Sequence, residues 1–314
     1  MNPVNERLGI LRAGVLLARR IRLPVKLGIL SAIVVIPLIL AAVALTQRHN
    51  AEVRATQAEI DGVSLVRPVV KILALVQRHR LQNNARQSGD TSVQADLERT
   101  RNELGQAGTG VVAVVRSISS FDLASQWQPL AGRLSSLVTD TQGGDATANF
   151  RIHSDLIRDL RQFAYSVSEV SGLLYEPEPI PFLLMDMVVT RNLHWIEQVG
   201  QLRGFGSGLI SRPEPDPTGA AVMRAGLSRL SDFLAEHRIA LAAIHQKGES
   251  GFGDTAALEA TDRFVAAANT AFAASNTAAR DTAGFTAAGT QAIDAVLASH
   301  SQMTDRLDAW LKRR

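Results

Sequence analysis

Along most of the chain, apolar positions recur every three or four residues, which is the period of a helix with one buried face, and clusters of glycine, proline and serine separate these stretches. An uncharged apolar run at residues 27–45 comes first, and six periodic segments follow it. The first, residues 47–87, places Val63, Val66, Val70, Leu73, Gln77 and Arg80 on one stripe. The second carries Leu97, Leu104, Val111 and Ile118 at seven-residue intervals, bends near Ser119 and Ser120, resumes through Trp127 and Leu134, and ends at a turn at 141–145. The third, residues 147–174, stacks His153, Leu156, Leu160, Ala164, Val167 and Ser171. The proline-rich connector at 176–181 starts the fourth, which runs to about Ser211. The fifth, residues 218–246, has the stripe Met223, Leu227, Leu230, Leu234, His237, Leu241 and Ile244. The last region, capped at Asp254, runs to Trp310 with Phe285, Val296, His300, Met303 and Leu307 in register.

No segment shows strand alternation, so the pattern predicts an all-α protein: an N-terminal transmembrane helix followed by an elongated antiparallel bundle of about six helices. A first helix of about 40 residues reaches roughly 60 Å, and a last region near 55 residues is long enough to return the whole way. Two long outer helices with four shorter ones suggest two four-helix modules stacked end to end.

Charge sets the expected topology. Residues 1–26 hold six basic side chains (Arg7, Arg12, Arg19, Arg20, Arg22, Lys26) and one acid, Glu6, leaving 27 basic against 29 acidic residues elsewhere. The basic excess is therefore a leader beside an apolar span of about 28 Å, not a phosphate-binding surface, and no nucleic acid is expected as a partner. The positive-inside rule keeps 1–26 cytoplasmic, makes 27–45 a single pass through a bacterial inner membrane and exports 47–314 to the periplasm. A cleaved signal ending near Ala42-Val43-Ala44 is the competing reading and exports the same body. The chain has no cysteine, which excludes disulfides and thiolate metal sites.

No catalytic constellation is present, so no enzyme activity, metal or cofactor is expected. Gly143-Gly144-Asp145 reads as a turn, and Gly204, Gly206 and Gly208 close a helix where a dinucleotide fingerprint would open one. The informative residues are arginines on apolar faces. Arg80 follows Leu73 by seven residues, and Arg203 follows Ile196 by seven. A guanidinium in a bundle core must find an anion or acceptors, because leaving it bare costs several kcal/mol. No acid at matching height is evident, since Glu59 lies about 30 Å below Arg80 along its helix. Arg80 and Arg203, with Gln77, Asn192 and His237 and with His153 nearby, form the candidate site for a small carboxylate or other anion. The bland reading pairs each arginine with an internal acid or lets it reach out to water, and makes His237 a satisfied core histidine.

Residues 61–80 (DGVSLVRPVVKILALVQRHR) and 172–208 (GLLYEPEPIPFLLMDMVVTRNLHWIEQVGQLRGFGSG) resemble the extracytoplasmic sensory regions of bacterial methyl-accepting chemotaxis proteins and membrane-bound diguanylate cyclases. Leu81 stands where those relatives usually carry a glycine. The six-helix plan also resembles the helical bimodular sensor fold, whose relatives bind small organic acids. The resemblance implies a ligand-sensing module for signal transduction, and a homodimer is the expected assembly. Relatives continue into a second membrane helix and an output domain, so a truncated or stand-alone sensor is expected from a sequence that reaches Leu311-Lys-Arg-Arg314. The alternative is a membrane-tethered structural or adaptor bundle that binds a protein.

Overall fold

The computed structural model describes residues 22–139, 146–212, 214–273 and 281–314. The chain divides into two units, one up to Arg54 and one from Ala55 to Arg314. Helix α1 spans Leu23–Gln87. In the first unit its large apolar side chains, among them Leu30, Ile33, Val34, Leu38 and Leu40, are exposed. This is the one helix among the described residues that is long and apolar enough to cross a membrane. A surface of that kind is tolerated where lipid rather than water covers it.

The described residues of the second unit form helices joined by short connections, with no strand among them. Helix α2 (Gln94–Ser117) runs back along α1, since Arg78 meets Glu103 near one end and Asp61 meets Ser120 just beyond the other. Helices α3 (Ala124–Thr139) and α4 (Ala146–Val170) form a hairpin in which Trp127 packs on Phe163 at 5.3 Å and Arg133 pairs with Asp159. Helix α4 is also antiparallel to α1, with His153 beside His79 and Ser171 against Gly62.

The connector after α4 leads into α5 (Pro179–Met185), which begins with proline in its first turn as the sequence indicates. A single π turn at Asp186–Arg191, bridged by the Arg191–Asp186 ion pair, passes the chain into α6 (Asn192–Ile210). Helix α7 (Pro217–Gln246) returns along α6, placing His237 on Trp195 and Met223 against Gly206. Helix α8 (Asp254–Ala271) is tied to α7 by Arg238–Asp262. Helix α9 (Thr282–Leu311) runs antiparallel to both α6, through Arg203–Thr290 and Asn192–Met303, and α1, through Arg67–Asp305 and Arg314–Glu59.

These pairings confirm an all-α antiparallel bundle and correct the expected stacking. The group α1–α4 and the group α5–α9 lie alongside one another, because Glu59 of α1 meets Arg314 at the level where Gly62 meets Ser171. Glycine makes the lateral packing close. A Cβ on Gly200 would come within 2.8 Å of Gln77 and one on Gly204 within 3.0 Å of Phe150, so these residues admit side chains from α1 and α4.

The last region is two helices, not one. Phe264 and Phe272 both pack on Phe285, at 5.3 and 5.9 Å, and this clasp folds α9 back on α8. At Asp254 the expected cap is instead the first helical residue; Gly253, at φ 67°, holds the cap position, and the Asp254 carboxylate sits 3.2 Å from His245. The turn expected at 141–145 and residues 1–21 of the leader lie outside the described residues. The apolar stripes are buried as expected, including all seven positions of the α7 stripe, except at Ile118, which is half-buried just past the end of α2.

Two glycine variants separate packing from helix propensity. Gly62→Ala puts a methyl group onto Ser171, whose Cβ is 2.7 Å from the new position, and should cost about 1–3 kcal/mol. Gly110→Ala in α2 meets nothing within 4 Å and should stabilise by about 0.5–1 kcal/mol. Thermal unfolding of the detergent-solubilised chain measures both; equal effects would contradict the α1–α4 contact.

Candidate anion-binding site

Helix α6 is the centre of the unit. Twelve of its 19 residues are buried, on nearly every side, as expected of a helix with neighbours all round. At 100° per residue its faces have different partners: Glu197 and Gly200 look toward α1, Trp195 toward α7, and Asn192 and Arg203 toward α9.

On the first face Arg80 is buried at 2% exposure and meets Glu197, itself 4% exposed, which corrects the expectation that no acid lies at matching height. Arg80 Nη1 donates to Glu197 Oε1 at 3.0 Å and to Ser154 Oγ at 2.8 Å, and Nη2 reaches Oε2 at 3.4 Å. Gln77 Nε2 donates to Oε2 at 2.6 Å and to the Ile196 carbonyl at 3.2 Å, while Gln201 Nε2 donates to Oε1 at 2.8 Å. The ring of Phe150 lies 4.8 Å under the Arg80 guanidinium. This pair is a fully hydrogen-bonded fork, the arrangement in which a buried ion pair recovers its desolvation cost.

Arg203 differs. It is 5% exposed, its stem lies on Gly289, and Nη1 donates to Thr290 Oγ1 at 2.9 Å. No carboxylate among the described residues forms an ion pair with it, and its Nε has no hydrogen-bond partner there. Burial, and secondarily the charge of Arg80, pull its pKa down to about 10, with Asp294 and Glu197 opposing from a distance. It is a desolvated cation beside an already paired one.

The five candidate residues therefore do not converge on one point. Gln77 and Arg80 share Glu197. Asn192 is on the α9 face with Arg203, but about 16 Å away along α6, where Nδ2 contacts Met303 Sδ at 3.5 Å. His237 is on the opposite side of α6 from Arg80, edge-on to Trp195 at 4.6 Å, fully buried, with neither ring nitrogen hydrogen-bonded among the described residues.

Sequence reasoning missed Glu197, the only acid in its helix and thus a readable signal, and it missed the partner of His153. His153 Nδ1 lies 2.7 Å from the Asn149 carbonyl and Nε2 lies 2.7 Å from His79 Nδ1, and Arg101 Nε donates to His79 Nε2 at 3.4 Å. A consistent direction follows: each imidazole is neutral, donates from Nδ1 and accepts at Nε2. Burial first, then neighbouring cationic and imidazole charge, holds His79 down at about 3; burial holds His153 at about 4. Near the start of the second unit, Glu59 of α1 joins Glu176 and Glu178 around Arg314, at 3.1, 2.8 and 3.2 Å. Among the described residues no group of three or more His, Cys, Asp or Glu is arranged to hold a metal ion.

These shifts fix the pH response. His79, His153, His237 and His300 are all held neutral, chiefly by burial, at about 3 to 4 against 6.5 when free. The stability they contribute is present above pH 6.5 and lost as pH falls through about 4. Glu59 opposes them: burial, then the Glu176 charge, push it up to about 7, so its contribution is full below 4.5 and lost as pH rises through 7. Four imidazoles outweigh one carboxyl, so the melting temperature should drop between pH 6.5 and 4.5. His237→Leu should flatten that drop and Glu59→Gln should steepen it. A melting temperature independent of pH over this range would contradict the burial of the imidazoles.

No protein-family model, curated protein or solved structure matches the chain.

Proposed function

We propose that the chain is a non-catalytic, membrane-anchored sensor module of a bacterial signal-transduction protein, with its helical unit in the periplasm and a small carboxylate or similar anion as its ligand. The observation that carries this reading is Arg203: a guanidinium buried at the α6–α9 seam with an unused Nε and no paired carboxylate among the described residues. Three arginines, Arg80, Arg161 and Arg203, act on or near the buried acid Glu197, and only Arg80 is ion-paired with it among the described residues, so this level of the bundle carries a cationic excess that an anion would relieve. The apolar exposed helix with its basic leader supports the anchoring and the exported body, and the resemblance of residues 61–80 and 172–208 supports a chemotaxis-receptor-like role. Because Arg203 lies on Gly289 and bonds Thr290, an anion that draws its guanidinium would act directly on α9.

The test is thermal unfolding of the full chain in detergent against a panel of organic acids. A ligand that binds only the folded state stabilises by about 2.7 kcal/mol at one hundred times its Kd. Arg203→Met keeps the apolar stem on Gly289 and removes the charge, so it should stay folded and lose the shift. If no acid in the panel raises the melting temperature, or if Arg203→Met still responds fully, Arg203 is structural, and a tethered bundle that binds a protein partner becomes the better account.

A further inference from the structure

The carboxylate of Glu197 is held as a bound ligand would be. Both oxygens are engaged, Oε1 by Arg80 and Gln201 and Oε2 by Gln77 and Arg80, and no donor in the set comes from the backbone. The three donor side chains, making four hydrogen bonds, form a cup whose fit to one carboxylate is demonstrated by its occupant. Two of its walls are closed by α1, where Gln77 and Arg80 are 1% and 2% exposed. The third is open to solvent: Gln201 is an exposed residue whose amide covers Oε1 from outside. One carboxylate also leaves this interior cationic, with Arg203, which has no ion pair among the described residues, nearly two turns along α6 and Arg161 acting on Glu197 from α4.

We infer that Glu197 is a built-in competitor for the carboxylate ligand: the incoming carboxylate enters past Gln201, takes the place of Glu197 on Arg80 and Gln77, and lies beside Arg203. This rests on the sensor reading above and adds what the ligand must displace. The exchange is non-covalent and balanced in charge, one carboxylate leaving the Arg80 fork as another arrives, and the released Glu197 stays within reach of the Arg161 charge. It also supplies the switch. The Arg80–Glu197 pair and the Gln77–Ile196 bond tie α1 to α6, so displacing Glu197 releases α6 from α1 while the ligand engages Arg203 at α9. Affinity is lowered by the internal competitor, because the free state must give up a satisfied pair before it binds.

The experiment titrates sodium acetate into the full chain in detergent, with sodium chloride at matched ionic strength as control, and reads the melting temperature. Glu197→Gln removes the competing charge and should lower the half-saturating acetate concentration by on the order of tenfold. Glu197→Asp keeps the charge but shortens its reach, and should give a smaller gain in the same direction; it serves if the glutamine variant does not fold. Arg80→Gln combined with Glu197→Gln should lose the gain. If the wild-type chain responds to acetate through Arg203 but neither Glu197 variant binds more tightly, the competitor is disproved and the sensor reading stands. If the gain persists without Arg80, Glu197 is not competing at that fork. If wild type, Glu197→Gln and Glu197→Asp all ignore acetate, and the organic-acid panel is also silent, both fall together.

Discussion

Arg80 projects from α1 into the level where α4 and α6 meet, and the rest of the unit is arranged around the need to keep its charge company. Taking a guanidinium and a carboxylate out of water costs several kcal/mol each, and that cost is offset only when both are fully hydrogen-bonded. Here the offset is assembled from three helices: Glu197 and Gln201 from α6, Gln77 from α1, and Ser154 with the Phe150 ring from α4. Removing Glu197 would leave a bare buried cation, so the pair dictates which helices must be neighbours and at what height. Apolar stripes alone would allow α6 to slide along α1 by a turn; a charge fork at Gln77, Arg80 and Glu197 does not.

Close approach makes that fork reachable. Gly200 lets the amide of Gln77 and the guanidinium of Arg80 lie against the α6 backbone, and Gly289 does the same for the stem of Arg203 on α9. In a dinucleotide-binding loop, glycines grouped as Gly204, Gly206 and Gly208 would serve to turn the chain. In α6 they sit inside a continuous helix, where Gly204 receives Phe150 and Gly206 receives Phe285. The intrinsic helix penalty of glycine, about 1 kcal/mol each at Gly204 and Gly206, is the cost of bringing α4, α7 and α9 onto one central helix. The π turn before Asn192 belongs to the same construction, since it sets the rotation with which α6 enters the crowded level.

Much of this was legible in the sequence because burial on one face writes itself as a period. The stripes of α1, α4, α7 and α9 were readable to the residue, including the polar members Gln77, Arg80, His153 and His237, which the structure buries. What the period cannot carry is the pairing between helices. Glu197 was overlooked because a stripe argument assigns one inner face, and α6 is surrounded, so an acid off the apolar stripe is as buried as one on it. His79 sits next to Arg80 in sequence and was passed over for the same reason; α2 and α4 cover its side of α1. The break between α8 and α9 was missed because alanine-rich sequence continues a helix readily, and the fold-back depends on Phe264 and Phe272 both meeting Phe285, a contact across more than a dozen residues.

The polar interior has two kinds of member, and they bear differently on function. His79 and His153 are satisfied in a directed chain that ends on a backbone carbonyl, so their polarity is used up in specifying register between α1, α2 and α4. The Arg314 guanidinium, shared by Glu59, Glu176 and Glu178, likewise fixes the end of α9 to α1 and to the connector before α5. Arg203 belongs to neither kind. Its stem is packed and its charge is not matched, on the helix whose neighbouring turn already holds the one buried ion pair of the α1–α6 contact. A bundle selected only for stability would be served as well by methionine at that position, since replacing a buried charge by an apolar side chain of similar volume is often neutral or stabilising. Retaining an unmatched guanidinium between α6 and α9 is understandable if matching it is the event to which the bundle responds.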